Sequence, residues 1–397
     1  MNIRSITDSV IYIGVNDRNK DRFENMWPLP YGVSYNSYLV TGNTKSAMID
    51  TVEDCFIESC LAHLKNSLKG KKLDYLVVNH MEPDHSGGIP AITANFPEVK
   101  IIGNKQTISM IKGYYGIEDS FFIEIKDRDE IDLGGLTLKF ILTPLVHGPE
   151  TMMTDLVEEK ILFSGDAFGT FGALNGGVVD TEMDTRWYDN EMYRYYSNIV
   201  GKYGKPVQKA LEKTKDLKID YICSTHGPVW HERITEVVDI YNRLSLYEGE
   251  DGVTIIYGSM YGNTEEVVET IAQHLCKMGI RNIKIHNASK SALSDMISDA
   301  FRYKGLIVGG PTYSMRIFPP VEEFMIAMET REIKNKVMAM FGSFTWASAS
   351  MNKLKEFAGR MNMDVVYSLD MKQSAGEEDH AAARALAEKV ASMLKEI

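Results

Sequence analysis

The pattern of apolar and polar positions changes near residue 250 of this chain of 397 residues. Before that point, strand-like runs at Val10–Val15, Leu136–Leu145 and Lys160–Ser164 are interspersed with amphipathic stretches. After it, short apolar runs and helical periods alternate regularly, and a polar, Gly-rich stretch at 249–252 marks the change. The pattern therefore predicts two domains, 1–250 and 251–397.

Helical periodicity in the first part predicts three long helical stretches, at Glu53–Leu68, Thr107–Gly116 and Trp187–Leu217. Pro206 is expected to divide the last of these, because proline lacks the N–H group that continues a helix. Strands and helices in this irregular order indicate an α+β fold, in which two mixed sheets covered by helices form an αββα sandwich.

The second part predicts an α/β fold, a doubly wound parallel sheet with helices on both faces. Its strands are expected at Val253–Tyr257, Gly305–Gly310 and Lys336–Phe341, and a helix at Val267–Met278 follows the first of them. The loops after these strands would lie at the carboxyl edge of the sheet, where such folds bind ligands.

Four potential metal ligands fall within six residues after the strand-like run Leu73–Asn79: His80, Glu82, Asp84 and His85. Imidazoles and carboxylates this close repel or desolvate one another unless a cation binds among them. Three more candidates follow apolar runs and precede small or turn-forming residues, as at strand ends: His147, Asp166 and His226. A lone histidine is more often structural, but seven such residues in this order predict a metal site.

The strand at Val253–Tyr257 runs into a loop rich in Ser, Gly, Asn and Thr, and then into a helix. Backbone N–H groups at such a helix start cradle a phosphate. The loop matches neither the nucleotide triphosphate nor the dinucleotide motif, but it looks like the flavodoxin loop that holds the phosphate of FMN. The candidate residues are Ser259, Met260, Tyr261, Gly262, Asn263 and Thr264.

Two further strand-end loops carry aromatic and small residues that suit the planar isoalloxazine ring. Each loop alone is an ordinary strand-to-helix connection of an α/β fold, but three such loops at these separations indicate a flavin site. The first loop contains Pro311, Thr312, Tyr313, Ser314 and Met315, and the second Gly342, Ser343, Phe344, Thr345 and Trp346.

The order H-x-E-x-D-H, His, Asp, His resembles the metallo-β-lactamase superfamily. Glu82 stands where its zinc hydrolases carry His, and this added carboxylate favours iron over zinc. Such a domain followed by a flavodoxin-like one is the arrangement of the flavodiiron proteins, or A-type flavoproteins. The resemblance covers essentially the whole chain, including the segments Gly32–Val40 and Ile49–Thr51.

The resemblance implies two irons. One would be held by His80, Glu82 and His147, the other by Asp84, His85 and His226, with Asp166 between them. In some members of the family the histidine equivalent to His85 is turned away from the metal, so its ligation stays open. Many relatives carry Trp where this chain has Gly148, so we expect a pocket wall that is more open or filled by another aromatic ring.

The implied activity is that of an oxidoreductase that reduces O₂ to water, NO to N₂O, or both, with electrons delivered through FMN. The donor would be a separate rubredoxin or, in some branches, a reduced deazaflavin. The family arrangement is a head-to-tail homodimer, or a dimer of dimers, in which the FMN of one subunit meets the iron pair of the other. Met26–Pro30 could line that contact or belong to the core.

Composition limits the alternatives. A net charge of -12 without a basic tract argues against nucleic acid or an anionic membrane as partner. The four cysteines include no C-x-x-C pair, which argues against a fused rubredoxin module and fits reduced thiols in the cytoplasm. We expect no signal peptide and no membrane span, because no apolar run is long enough.

Three other interpretations remain open from the residues. A zinc hydrolase with an accessory flavodoxin domain would explain the first domain but gives no role to Glu82. An electron-transfer flavoprotein could carry a metal domain that is only structural, and an interaction protein would need neither loop set. The aromatic stretch Tyr188–Tyr203 is expected to pack helices, although one of its tyrosines could donate a proton or a hydrogen bond near the metals.

Overall fold

A computed structural model describes residues 3–396. The chain forms two compact units, Met1–Ser245 and Leu246–Ile397. The first unit ends with a helix whose last residue is Ser245, and the first strand of the second unit begins at Glu250, which is where the sequence pattern changes.

The first unit contains sixteen labelled strands among the described residues. In chain order they are β1 Arg4–Ser5, β2 Val10–Tyr12, β3 Val15–Asp17, β4 Arg22–Phe23, β5 Trp27–Pro28, β6 Val33–Tyr35, β7 Tyr38–Thr41, β8 Ser46–Ile49, β9 Tyr75–Val77, β10 Lys100–Gly103, β11 Phe122–Glu124, β12 Glu130–Asp132, β13 Thr137–Leu142, β14 Met152–Leu156, β15 Ile161–Gly165 and β16 Tyr221–Ser224. They form a seven-stranded sheet, β1-β2-β7-β8-β9-β10-β11, a five-stranded sheet, β12-β13-β14-β15-β16, and the small pairs β3-β6 and β4-β5.

Helices connect these strands. They are α1 Ile57–Leu68, α2 Pro83–Ser86, α3 Ile89–Asn95, α4 Lys105–Tyr115, α5 Arg186–Tyr195, α6 Gly204–Thr214 and α7 Ile234–Ser245. Both sheets mix parallel and antiparallel neighbours. One buried core joins Val40 and Val77 of the larger sheet to Phe140 and Phe163 of the smaller one. Burying two apolar sheet faces against each other is the main stabilising contact of a sandwich, and the predicted αββα class is confirmed.

Two predicted elements of this unit are wrong in detail. The run Val10–Val15 is not one strand, because the chain leaves the large sheet at Gly14, and β2 and β3 pair with different partners. A Cβ atom at Gly14 would lie 2.4 Å from the Tyr35 carbonyl oxygen, so only glycine permits this crossing.

The long stretch Trp187–Leu217 is divided before Pro206, not at it. A π-helical turn at Tyr196–Val200 and a 3₁₀ turn at Gly201–Tyr203 separate α5 from α6. Pro206 lies in the first turn of α6, where a missing N–H group costs nothing. The break therefore falls at residues with poor helix propensity, Gly201 among them.

The second unit contains strands β17 Glu250–Tyr257, β18 Ile283–Asn287, β19 Tyr303–Tyr313, β20 Arg316–Ile317, β21 Val337–Phe344 and β22 Val365–Lys372, and helices α8 Asn263–Lys277, α9 Leu293–Arg302, α10 Pro319–Thr330, α11 Ser350–Arg360 and α12 Glu377–Glu396. The main path β18-β17-β19-β21-β22 is parallel throughout, and only the short β20 pairs antiparallel with β19. This is the flavodoxin strand order, which binds ligands at the carboxyl ends of its first and third strands, here β17 and β19. The predicted doubly wound fold is confirmed.

Among residues 3–396, every helix is too short or too polar to span a lipid bilayer.

Candidate metal centre and flavin pocket

The seven predicted ligands lie where strands of the two sheets end. His80 and Glu82 follow β9, His147 follows β13, Asp166 directly follows β15 and His226 follows β16. Pro83 then starts the short helix α2, since its fixed φ suits a first helical residue. This places Asp84 and His85 one turn beyond Glu82, so that one short motif supplies four ligands.

These side chains converge as two groups. His80, Glu82, His147 and Asp166 each offer one ligand atom, and these atoms lie within 4.8 Å of one another. Asp84, His85 and His226 form a second group with the same spread. The structure therefore brings together all seven residues that the sequence predicts.

Asp166 lies between the two groups. Its Oδ2 atom is 2.9 Å from Nε2 of His147, and its Oδ1 atom is 3.0 Å from Nε2 of His85. The Thr225 hydroxyl donates to Oδ1 and fixes the orientation of the carboxylate. One oxygen on each side is the geometry that a bridging carboxylate needs.

Several ligand atoms of the second group have no hydrogen-bond partner among the described residues, although they are buried. They are both oxygens of Asp84, both ring nitrogens of His85 and Nε2 of His226. The atoms are nevertheless close, since Nε2 of His226 is 3.3 Å from Oδ2 of Asp84. Buried polar atoms that converge without pointing at one another suit a cation at their common point. The donor set, rich in carboxylate oxygen, fits iron.

The centre is more exposed at two of its ligands than at the others. The Glu82 and His147 side chains are 15% and 17% exposed, whereas those of His85, Asp166 and His226 are fully buried. A small molecule from solvent would therefore reach the centre past Glu82 and His147.

Backbone and side-chain acceptors fix two of the imidazoles. Nδ1 of His80 lies 2.7 Å from Oε1 of Glu150, which also accepts the Met81 N–H at 2.9 Å. Nδ1 of His226 lies 2.7 Å from the Ser34 carbonyl oxygen. With Nδ1 donating, each ring presents Nε2 to the centre, as a metal-binding histidine does.

The charged groups of the cluster shift the pKa values of its histidines and of its carboxylates in opposite directions. Burial opposes protonation of the imidazoles, but Glu150 raises the pKa of His80, and the nearby carboxylates raise the pKa values of His85 and His147 to about 9. Despite burial, the same imidazoles lower the pKa values of Glu82 and Asp166. Without metal, the cluster thus holds protons that a cation would displace.

The space beside Gly148 is neither open nor filled by an aromatic ring, so both expectations for this position are wrong. A Cβ atom at Gly148 would lie 2.6 Å from Oε2 of Glu150 and 2.8 Å from Cε1 of His80. The Glu150 carboxylate occupies the wall, and glycine is the residue that leaves room for it.

Tyr195 is the tyrosine of the aromatic stretch with a ring next to a ligand, at 5.5 Å between its centroid and that of His226. Its hydroxyl has no hydrogen-bond partner among the described residues. Burial and then the Asp166 charge hold its pKa well above the usual value. Tyr188 donates to the Ala173 carbonyl and packs as expected.

In the second unit, a cavity of about 550 Å³ opens among the three predicted loops. Every predicted flavin residue lines it except Gly262 and Gly342, and Ala347 and Gln373 are additional lining residues. The lining residues are Ser259, Met260, Tyr261, Asn263, Thr264, Pro311, Thr312, Tyr313, Ser314, Met315, Ser343, Phe344, Thr345, Trp346, Ala347 and Gln373. Tyr261 and Trp346 are 92% and 87% exposed, and they offer large rings to a planar ligand.

The first loop has the geometry of a phosphate site. Gly262 adopts a φ of 97°, which glycine adopts without strain, and helix α8 starts at the next residue. Its first-turn N–H groups, at Asn263 and Thr264, have no intrahelical acceptor and carry the positive end of the helix dipole. The Thr264 hydroxyl lies 3.1 Å from that of Ser343, so two loops meet there.

Two of the predicted flavin residues also have a structural role. The Thr312 hydroxyl accepts the N–H groups of Ala349 and Ser350, each at 3.1 Å, and thereby caps α11. A Cβ atom at Gly342 would lie 2.8 Å from Oγ of Ser350, which makes Gly342 a packing glycine.

Sequence reasoning missed the residues behind the ligands. Glu150 could have been found, because it follows His147 by three residues in the same turn. Ser34 acts through its backbone carbonyl, and no side-chain pattern signals that. Asp50 is buried at the end of β8 and accepts the backbone and side-chain N–H groups of Asn79 at 2.7 and 2.9 Å, which holds the residue before His80.

Comparisons with known proteins agree with both halves of the chain. Residues 33–227 match the family described as ODP family beta lactamase, and residues 255–394 match flavodoxin. The anaerobic nitric oxide reductase flavorubredoxin of Shigella flexneri is 32% identical over 327 residues, which are 81% of this chain and 68% of that protein.

Solved structures are similar over both domains. The rubredoxin oxygen:oxidoreductase from Desulfovibrio gigas superposes with a TM-score of 0.94 at 26% identity, covering 100% of this chain and 99% of that chain. A single-residue variant of the flavo di-iron protein from Thermotoga maritima gives a TM-score of 0.91 at 26% identity, covering 99% and 98%.

Proposed function

Because the chain belongs to the flavodiiron proteins, we propose that it reduces O₂ to water, NO to N₂O, or both, with electrons delivered through FMN. The observation that carries this proposal is the convergence of seven ligands in two groups around Asp166. Two ferrous irons and a reduced FMN supply four electrons together, enough to reduce O₂ to two waters without releasing peroxide.

The residues divide into two ligand sets. His80, Glu82 and His147 would hold one iron, and Asp84, His85 and His226 the other, with one Asp166 oxygen toward each. Inclusion of His85 is supported by its full burial and by the 3.0 Å from its Nε2 to Oδ1 of Asp166. The carboxylates Glu82, Asp84 and Asp166 provide the negative charge that stabilises the more oxidised metal state.

The protein around the centre orients these ligands and excludes water. Glu150 and the Ser34 carbonyl keep His80 and His226 in the tautomer that presents Nε2. Full burial of His85, Asp166 and His226 limits access to the side of Glu82 and His147. A small diatomic substrate passes such an opening more readily than the bulky substrates of a hydrolase.

In the second unit, Ser259 to Thr264 would hold the FMN phosphate, with the N–H groups at the start of α8 facing it. The loops at Pro311–Met315 and Ser343–Trp346 would contact the ring system. Thr264 and Ser343 are the pair of hydroxyls best placed to hydrogen-bond the ligand, since both lie in the cavity and face each other.

The direct test is anaerobic loading with iron and FMN, followed by assays with O₂ and NO under a common electron donor. We expect close to two irons and one FMN per chain, and consumption of at least one of the gases. Zinc as the native metal with hydrolysis of an ester or β-lactam would favour the alternative of a zinc hydrolase. Asp166→Asn separates a catalytic from a purely structural metal domain, because unchanged gas consumption would remove the catalytic role.

Three finer features belong to the same proposal. The electron donor is a rubredoxin-type protein, as the names of the relatives suggest. The chain acts in the cytoplasm as a head-to-tail homodimer or a dimer of dimers, so that the flavin of one subunit serves the irons of another. Light scattering of the loaded protein tests the assembly, and a monomer with full activity would contradict it.

A further inference from the structure

The cavity of the second unit includes a fourth segment that lies outside the three predicted loops. Strand β22 ends at Lys372, and the next residue, Gln373, lines the cavity together with the loop that follows β21. Phe344 and Lys372 are the last paired residues of β21 and β22, so Gln373 continues directly from the sheet. The sheet therefore places Gln373 at the edge where such folds bind ligands.

The backbone of Gln373 is fixed beside the aromatic part of the cavity. Its N–H group donates to the Phe344 carbonyl oxygen at 2.7 Å, and Phe344 leads into Thr345 and Trp346. Its φ angle is 66°, in the left-handed region that residues other than glycine, asparagine and aspartate seldom adopt. An uncommon conformation that the surrounding structure maintains often marks a ligand contact.

The side-chain chemistry of the cavity singles out Gln373. None of the described residues that line the cavity is charged, and its two amide side chains belong to Asn263 and Gln373. Asn263 is the first residue of α8, at the proposed phosphate site. The Gln373 side chain makes no hydrogen bond within the described part of the chain, so its amide is available to a ligand.

FMN presents a hydrogen-bond donor and acceptors side by side at the polar edge of its ring system. In the pyrimidine part of that ring, an N–H group lies between two C=O groups. A primary amide carries N–H donors and a C=O acceptor in one plane, so it can pair with an adjacent N–H and C=O at the same time. The hydroxyl groups of Ser, Thr and Tyr, which are the other polar side-chain groups of this cavity, offer both functions at a single atom.

We propose that the side-chain amide of Gln373 hydrogen-bonds the pyrimidine edge of the FMN ring, and that this contact raises the reduction potential of the flavin. This inference rests on the proposed function. Reduction places negative charge on the pyrimidine part of the ring, and a hydrogen bond to a charged acceptor is stronger than one to a neutral acceptor. The Gln373 amide N–H therefore stabilises reduced FMN more than oxidised FMN.

The first test is Gln373→Met in the full-length, iron-loaded protein. Methionine is also unbranched and of similar length, so the substitution removes the amide and preserves the shape. We expect oxidised FMN to bind about fivefold more weakly and reduced FMN about 50-fold more weakly. That tenfold ratio lowers the two-electron reduction potential of the flavin by about 30 mV. Fluorescence titration with FMN measures the affinity of the oxidised form, and a redox titration followed by flavin absorbance measures the potential.

A second variant and a matched control complete the test. Gln373→Glu keeps the length and an acceptor, but at neutral pH it lacks the donor and places a negative charge beside the reduced ring. We therefore expect its flavin potential to fall further than that of Gln373→Met. Gln273→Met changes an exposed glutamine of α8 that does not line the cavity, and its FMN affinity and potential should equal those of the wild type.

Two results would overturn the inference. One is a wild-type flavin potential in Gln373→Met, because weaker FMN binding with an unchanged potential would mean that the amide contacts the ribityl hydroxyls and not the ring. The other is a potential in Gln373→Glu that is equal to or above that of the wild type. Both results leave the proposed function intact, since the wild-type protein would still bind FMN and consume O₂ or NO. A wild-type chain that takes up no FMN would instead overturn the proposed function itself.

Discussion

The metal centre and the flavin pocket are built in different ways. The centre consists of charged side chains that are mostly buried, and some of them are oriented by a partner behind them, such as Glu150 behind His80. The flavin pocket consists of loop backbone, hydroxyl groups and rings, and Tyr261 and Trp346 are almost entirely exposed. A cation site thus requires charged side chains that are held in position before the cation binds. A site for a large planar ligand requires a cavity of matching shape, and its aromatic side chains can stay exposed until the ligand packs against them.

The largest expected effect lies at the bridge of the metal centre. Asp166→Asn removes the negative charge shared by both ligand groups and leaves His85 and His147 facing a neutral amide. We expect iron content and gas consumption to fall by at least about 100-fold, more than for loss of a residue behind a ligand. Metal analysis and rate measurements check this result.

The control for the bridge is Asp220→Asn, which alters a surface carboxylate paired with Lys160. Iron content and rate should stay at wild-type values there. If Asp166→Asn kept wild-type iron content and rate, the conclusion that the metal centre depends on positioned charge, unlike the flavin pocket, would be wrong.

The next effect concerns the support behind a ligand. Glu150→Gln keeps an acceptor for Nδ1 of His80 but removes the charge, so we expect iron affinity to fall about 10- to 100-fold with the fold intact. Competition with a chelator measures the affinity, and circular dichroism verifies folding. FMN affinity serves as the internal control, and a parallel loss of FMN would indicate general unfolding instead.

Two threonines of the flavin pocket provide a matched pair. Thr264→Val removes a hydroxyl that faces the cavity, and we expect FMN affinity to fall about tenfold, as for one lost hydrogen bond to a charged group. Thr312→Val removes the cap of α11, and we expect about 1 kcal/mol less stability with little change in FMN affinity. Fluorescence titration with FMN and thermal melting separate the two effects, and a reversed result would contradict both assignments.

The smallest effect is a dependence of stability on pH in the metal-free protein. His85 and His147 have folded-state pKa values of about 9, above the unfolded value, so their stabilising contribution is fully present below about pH 6.5. It is lost as the pH rises through 9. We therefore expect the melting temperature of the apoprotein to fall from pH 6.5 to 9, while the iron-loaded protein lacks this slope. Equal slopes in both forms would contradict the charge pairing.

The comparison also explains what the sequence could predict. His80, Glu82 and Asp166 could be predicted as metal ligands because residue types that bind metals are rare at strand ends. The parallel, doubly wound sheet of the second unit followed from its regular alternation. The division of Trp187–Leu217 was misplaced, because a π-helical turn has no periodic signature and Pro206 is tolerated in a first helical turn.

Residues that act through backbone or through distant contacts escaped prediction. The Ser34 carbonyl that orients His226 is separated from it by 192 positions in the chain. The hydroxyl that caps α11 belongs to Thr312, which is also distant in the sequence from the helix, so no local motif predicts it.

The tight contact of Gly148 with Glu150 constrains how this site can diversify. Any side chain at 148 meets the Glu150 carboxylate and the His80 ring, so a single substitution there is blocked by its own neighbour. Positions 148 and 150 are therefore coupled, because a side chain at 148 requires a shift of the Glu150 carboxylate as well as of the His80 ring. Joint randomisation of the pair, with smaller residues at 150, is the route by which a bulky wall could be introduced next to the irons.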